Sequence, residues 1–283
     1  MKKIFKRLIV FFTGVPVLLL VILFFPQKNH LLLNLVIVVF SVLSAVEFRN
    51  ILSSKSPVIS LAETIILGAV CPAAWTLVIS FGIGRYIVPI SLITGASWLI
   101  MSRIFAGQEK LDSYIGYTTS GLAIMIYPGL FLAWIIRMAT FREAGFVILF
   151  FFLITFFNDA AAWAAGVLFG NNNRGIVKAS PNKSIAGFIG GQVGSVVIGI
   201  AAVIFFPDAF SSGTMNSIFA GSLLGFGTGI AAIIGDLGES AIKRSGGVKD
   251  SGSLILGRGG ALDSIDSLIL AAPLYYFLYR ILF

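Results

Sequence analysis

Nine apolar runs follow one another along this chain, at about 8–25, 31–52, 58–81, 86–105, 113–136, 145–169, 185–206, 217–235 and 268–283. A bilayer core about 30 Å thick needs roughly 20 such residues per helix. The pattern therefore predicts an all-α, polytopic integral membrane protein with about nine transmembrane helices. Lys2, Lys3, Lys6 and Arg7 precede the first run. That run is longer than the apolar part of a signal peptide, about 7–15 residues, and no small-residue cleavage site follows it. It reads as a retained first helix. The breaks carry loop chemistry, as in Ser53-Ser-Lys-Ser-Pro57 and Gly82-Ile-Gly84. These two are short enough to predict antiparallel helix hairpins.

The placement of the cations predicts an orientation. With the N-terminus on the cytoplasmic side, 15 of the 20 Lys and Arg residues fall in cytoplasmic segments, as the positive-inside bias requires. Loops 170–184 and 236–267 then both face the cytoplasm. A net charge of +8 could point to nucleic acid, but the cations are spread among short loops and form no basic face. Topology and contact with anionic lipid explain them better, so no nucleic-acid partner is expected. Cys71 is the only cysteine, which excludes an internal disulfide and a cysteine metal centre.

Charged residues are 11% of the chain, against about 25% in soluble domains. Nine of them gather in the 33 residues from Gly235 to Ser267. Asp236 and Asp263 open and close this stretch at expected helix ends, where two carboxylates could hold Mg²⁺ or simply cap helices. Asp266 follows Asp263 by three residues, one near-turn of helix, and is either a further metal ligand or a first-turn residue favoured by the helix dipole. Lys243, Arg244 and Lys249 suit phosphate oxygens, although each alone is also what the orientation bias produces. Asp250 and Arg258 lie in the same stretch. Asn158-Asp159 interrupts the sixth apolar run, and an ionisable group there is by default a functional candidate, with a structural contact between helices as the alternative. Ser180-Pro-Asn-Lys183-Ser184 leads into the seventh run, where free helix N–H groups attract anions or where Ser184 merely caps. The glycine series 187, 190, 191, 194 and 221, 225, 229 read chiefly as close helix packing in lipid.

A P-loop spacing is absent, since GGVKD at 246–250 lacks the required interval. His30 is the only histidine, and the expected topology places it on the outer side, away from the charged loops. Histidine acid–base catalysis is therefore not expected. A phosphate monoester, already anionic near neutral pH, needs no strong base and can attack phosphorus when cations screen the repulsion.

Three elements in order then resemble a known family: Phe157-Asn158-Asp159, Ser180-Pro-Asn-Lys183-Ser184 running to Gly187-Phe-Ile-Gly190-Gly191, and Ser240-Ala-Ile-Lys243-Arg244 through Lys249-Asp250-Ser-Gly252 to Gly259-Gly260-Ala-Leu-Asp263-Ser-Ile-Asp266-Ser. The last is similar to the C-terminal signature of phosphatidate cytidylyltransferases. The chain departs from that pattern at Leu256, Arg258, Ala261, Ser264 and Ile185-Ala186. The resemblance implies conversion of CTP and phosphatidic acid to CDP-diacylglycerol and pyrophosphate with Mg²⁺, a second cation being left open. It implies that Asp236 and Asp263 bind the metal and that Lys243 and Arg244 contact phosphate; Asp266 joins the expected metal ligands on its spacing from Asp263 alone. Asp159, Lys183, Ser184, Lys249, Asp250 and Arg258 are assigned to the substrates.

The expected organisation is a transmembrane scaffold over 1–140 and a catalytic membrane region over 141–283. The expected location is the inner membrane, with the active site facing the cytoplasm and a homodimer left open. A CTP-dependent polyprenol or lipid kinase is the closest rival reading. An ion-coupled transporter, suggested by Asp159 and the glycine-rich helices, comes third.

Overall fold

The computed structural model describes residues 2–105, 107–211, 215–255, 257 and 259–283, with residues 2–12 and 109 described by backbone alone. It is helical. Among the described residues the only extended pairing is two isolated bridges, Arg174 with Ser184 and Ile255 with Gly259. The helices are α1 Lys2–Phe24, α2 Gln27–Leu52, α3 Leu61–Phe81, α4 Ile87–Met101, α5 Gln108–Asp112, α6 Tyr114–Ile124, α7 Ala133–Met138, α8 Ala144–Phe169, α9 Ile185–Phe205, α10 Ser217–Ser245 and α11 Leu262–Leu282. A π-helical turn, Met125–Leu130, joins α6 to α7. Among the described residues seven segments are long and apolar enough to cross a membrane: α2, α3, Tyr114–Met138, α8, α9, α10 and α11. Two further apolar stretches are shorter, Thr13–Phe24 and Ile87–Met101. At 1.5 Å per residue, the 15 residues of α4 reach only about 22 Å.

The chain forms two compact units, one of Met1–Arg137 with Ser245–Ile265 and one of Met138–Arg244 with Asp266–Phe283. In the first, α2 and α3 pack along each other, and α3 also packs against α4 and the π turn. α3 begins with a capping box, in which the Ser60 hydroxyl accepts from the Glu63 amide and the Glu63 carboxylate accepts from the Ser60 amide. It ends at Gly82 in the left-handed region, φ 71°, where a side chain would be strained. Pro72 inside α3 has no N–H to offer the carbonyl of Gly68 one turn earlier. An unmet carbonyl in lipid is expensive. The buried Ser41 hydroxyl of α2 donates to it at 2.7 Å, and lies 2.8 Å from the Pro128 carbonyl as well.

In the second unit α8 and α9 pack closely along their small-residue faces. A methyl added at Gly191 would stand 2.9 Å from the Asn158 carbonyl oxygen, and one at Gly225 of α10 would overlap the carbonyl of Ser195 on α9. The glycine series thus serve close helix packing. α11 is held by the Tyr275 hydroxyl, which donates to the Val147 carbonyl at 2.8 Å, and by Tyr279, which donates to Ala209.

One element runs past its expected end. Hydropathy places the end of the eighth run at Gly235, yet α10 continues to Ser245. Asp236, Glu239 and Lys243 are spaced i, i+3 and i+7, a helical period, so only polarity changes at Gly235. The helix stops where Gly246 and Gly247 follow, Gly247 at φ 74°.

Candidate active site

In the second unit, acidic side chains from three helices lie near one another. α10 supplies Asp236 and Glu239, α11 supplies Asp266, and α8 supplies Asp159. Asp236, Glu239 and Asp159 each act electrostatically on Asp266. Like charges gathered in a membrane protein need compensation, and two lysines provide part of it. Lys183, at the entry to α9, makes an ion pair with Asp236. Lys243 pairs with Glu239 at 2.5 Å across one turn of α10, and both are buried. The Ser267 hydroxyl lies 3.1 Å from both Asp159 Oδ2 and Asp266 Oδ1. Its single hydrogen can serve only one of them at a time.

The surrounding backbone is arranged by local capping. Ser184 begins α9 with an extended backbone, and its hydroxyl accepts from the Gly187 amide at 3.0 Å. Lys183 is thereby fixed just ahead of a helix N-terminus. Arg244 reaches back to the Ala179 carbonyl at 3.3 Å. Asn158 donates to the buried Ser195 hydroxyl at 2.8 Å, so its amide joins α8 to α9, and its neighbour Asp159 belongs to the acidic group.

In the first unit, Asp263 stands in the first turn of α11. Its Oδ2 accepts from the Ser251 amide at 2.9 Å and the Gly260 amide at 2.7 Å, and lies 3.0 Å from the Ser251 hydroxyl oxygen. Gly259, at φ 112°, leaves room for this carboxylate, which a side chain at that position would overlap. Lys249 and Asp250 are exposed on the same segment. Arg258 and Leu256 lie outside the described residues.

The cytidylyltransferase family model matches residues 5–282. The chain belongs to the cytidylyltransferase family. Among curated proteins it is 39% identical over 137 residues to a phosphatidate cytidylyltransferase of Haemophilus influenzae, covering 47% of this chain and 46% of that one. It is 34% identical over 178 residues to a phosphatidate cytidylyltransferase of Thermotoga maritima, covering 62% and 64%. It is 38% identical over 150 residues to the uncharacterized protein YnbB of Escherichia coli, covering 52% and 48%. The chain thus spans less than two thirds of the length of each of these relatives.

For this cytidylyltransferase-family chain, the residues singled out from sequence fall into two groups. Asp159, Lys183, Ser184, Asp236, Lys243, Arg244 and Asp266 belong to the second unit, and Lys249, Asp250 and Asp263 to the first. Three participants escaped the sequence reading. Glu239 is fully buried and neutralises Lys243. Ser267 links Asp159 and Asp266. Glu47, toward the end of the second apolar run, accepts from the Ser251 hydroxyl and from the Ala261 and Leu262 amides. An acid in an apolar run is the signal that selects Asp159, and Glu47 carries a weaker form of it, with Arg49 two residues on near the end of its run.

Asp159, Asp236, Asp263 and Asp266 offer carboxylate oxygens, the donors that a hard divalent cation takes. Among the described residues no three His, Cys, Asp or Glu side chains are grouped as a ready-made metal cage. Mg²⁺ is commonly held by one or two carboxylates and completes its shell with waters and substrate phosphates. The residues present fit that mode of binding.

Proposed function

We propose that the protein is a phosphatidate cytidylyltransferase, joining CTP and phosphatidic acid to give CDP-diacylglycerol and pyrophosphate. The observation that carries this reading is the family match over residues 5–282 together with relatives named phosphatidate cytidylyltransferase. The nine-run pattern and the cation bias support nine crossings, a cytoplasmic N-terminus and an inner-membrane location with the site open to cytoplasmic CTP.

In the reaction, a phosphate oxygen of phosphatidic acid forms a new bond to the α-phosphorus of CTP. The bond from that phosphorus to the oxygen bridging to the β-phosphate breaks, and pyrophosphate leaves with the electron pair. The attacking oxygen is already anionic, so no histidine is required. Asp236 and Asp263 are each assigned as ligands of Mg²⁺, with Asp266 in support. When bound, the metal withdraws charge from the triphosphate and screens the approach of the anionic nucleophile. Lys183, Lys243, Arg244 and Lys249 supply positive charge to the phosphates, with Ser184, Asp250 and Arg258 as further substrate contacts. Asp159 orders the polar groups between α8 and α11 through Ser267.

The test is product analysis with full-length purified protein, CTP, phosphatidic acid and Mg²⁺. A cytidylylated lipid and pyrophosphate are expected. CDP with a phosphorylated lipid would establish the kinase instead, and substrate flux into sealed vesicles without CTP turnover would establish the transporter.

A further inference from the structure

Glu47 lies five residues before the end of α2 and is buried. Its carboxylate is fully engaged with a segment some 200 residues later in the chain. Oε1 accepts from the Ala261 amide at 2.9 Å, and Oε2 accepts from the Leu262 amide at 2.9 Å and the Ser251 hydroxyl at 2.8 Å. The Ala261 amide immediately precedes α11 and the Leu262 amide is its first, and amides at a helix start have no partners within the helix. A negative charge there is favoured by the helix dipole. Two glycines make the approach feasible. A methyl at Gly252 would stand 2.5 Å from Glu47 Oε1, and one at Gly260 would overlap both Glu47 Oε2 and the Ser251 hydroxyl. Ser251 also holds Asp263 through its amide, and its hydroxyl oxygen lies 3.0 Å from the same Asp263 oxygen. Its hydroxyl hydrogen can go to Glu47 or to Asp263, never to both at once.

We infer that Glu47 is a positioning residue for the transferase reaction. It clamps the segment from Ser251 to Leu262 and, through Ser251 and the start of α11, sets the orientation of the Asp263 carboxylate. The inference rests on the proposed function only in its catalytic half, because the clamp itself is a property of the fold. Glutamine at position 47 keeps the length but has one acceptor oxygen where three donors need two. Its amide N–H groups would face the Leu262 or Ala261 N–H, and the clamp would open. A residue that supports a metal ligand typically changes activity by about 10–100-fold when replaced.

The experiment compares full-length wild type with Glu47→Gln and Gly260→Ala in detergent, by amide hydrogen exchange and by steady-state kinetics with CTP and phosphatidic acid. In Glu47→Gln, exchange is expected to accelerate about tenfold or more in peptides spanning 251–262, while α2 and α3 keep wild-type protection. In both variants kcat is expected to fall by about 10–100-fold with KM for CTP little changed, since the ligand is misoriented and not removed. Unchanged exchange in 251–262 would overturn the inference, and so would acceleration spread equally over α2 and α3, which would make Glu47 an ordinary buried contact. Wild-type turnover in either variant would overturn its catalytic half. A wild type that forms no cytidylylated lipid would refute the proposed function, and the exchange result would still decide the clamp.

Discussion

Lys183 and Asp236 are 53 residues apart in sequence and paired in space, which makes the lysine a test of what the aspartate does. If Asp236 is a metal ligand, Asp236→Asn should lower turnover by more than the about 10–100-fold typical of supporting residues. Lys183→Met should cause a smaller loss, because other cations remain for the phosphates. A kinetic comparison of the two variants at saturating Mg²⁺ checks the order. Ser267→Ala should be milder still. It removes a hydroxyl shared between Asp159 and Asp266, worth about 0.5–1.5 kcal/mol as one net hydrogen bond, and a thermal melt should show a small drop. The acids that the fold gathers, Asp159, Asp236 and Asp266, are conspicuous as residue types, since polarity stands out in an apolar chain. Their partners are not. Pairing Glu239 with Lys243 required knowing that α10 continues past Gly235, and the clamp by Glu47 required a contact across more than 200 residues that no local spacing encodes.

At the scale of elements, hydropathy located the helices and mislaid some ends. The break at Gly82 is legible because glycine is the residue that a left-handed C-cap favours. The end of α10 is not, because a helix leaving an apolar layer keeps its period while losing its hydrophobicity. Ala241→Pro tests this extension. In a flexible loop such a change is nearly neutral, but within a helix it removes a backbone hydrogen bond and is destabilising by about 3 kcal/mol. The thermal melt should therefore fall, and turnover with it. The glycine seams give a second prediction. Gly225→Val would drive a branched side chain into the Ser195 carbonyl of α9, and overpacking of this kind is destabilising by about 1–3 kcal/mol. The loss should appear in the melt of the detergent-solubilised protein.

For the whole molecule, the sequence specified a helical membrane protein with little ambiguity, because long apolar runs admit few folds. The grouping of Ser245–Ile265 with the N-terminal helices was not legible, since it depends on contacts formed only after folding. Orientation is open to direct measurement. Single cysteines introduced into a Cys71→Ser background at Lys55 and Lys178 should be labelled from the cytoplasmic side, and one at Arg85 from the opposite side. Function is decided most directly by following the phosphorus atoms of CTP. With the radiolabel on the α-phosphorus, wild-type protein given phosphatidic acid and Mg²⁺ should transfer it to lipid, and with the label on the γ-phosphorus it should release it as pyrophosphate. Label from the γ-position in the lipid, or no label in the lipid from either position, would contradict the account.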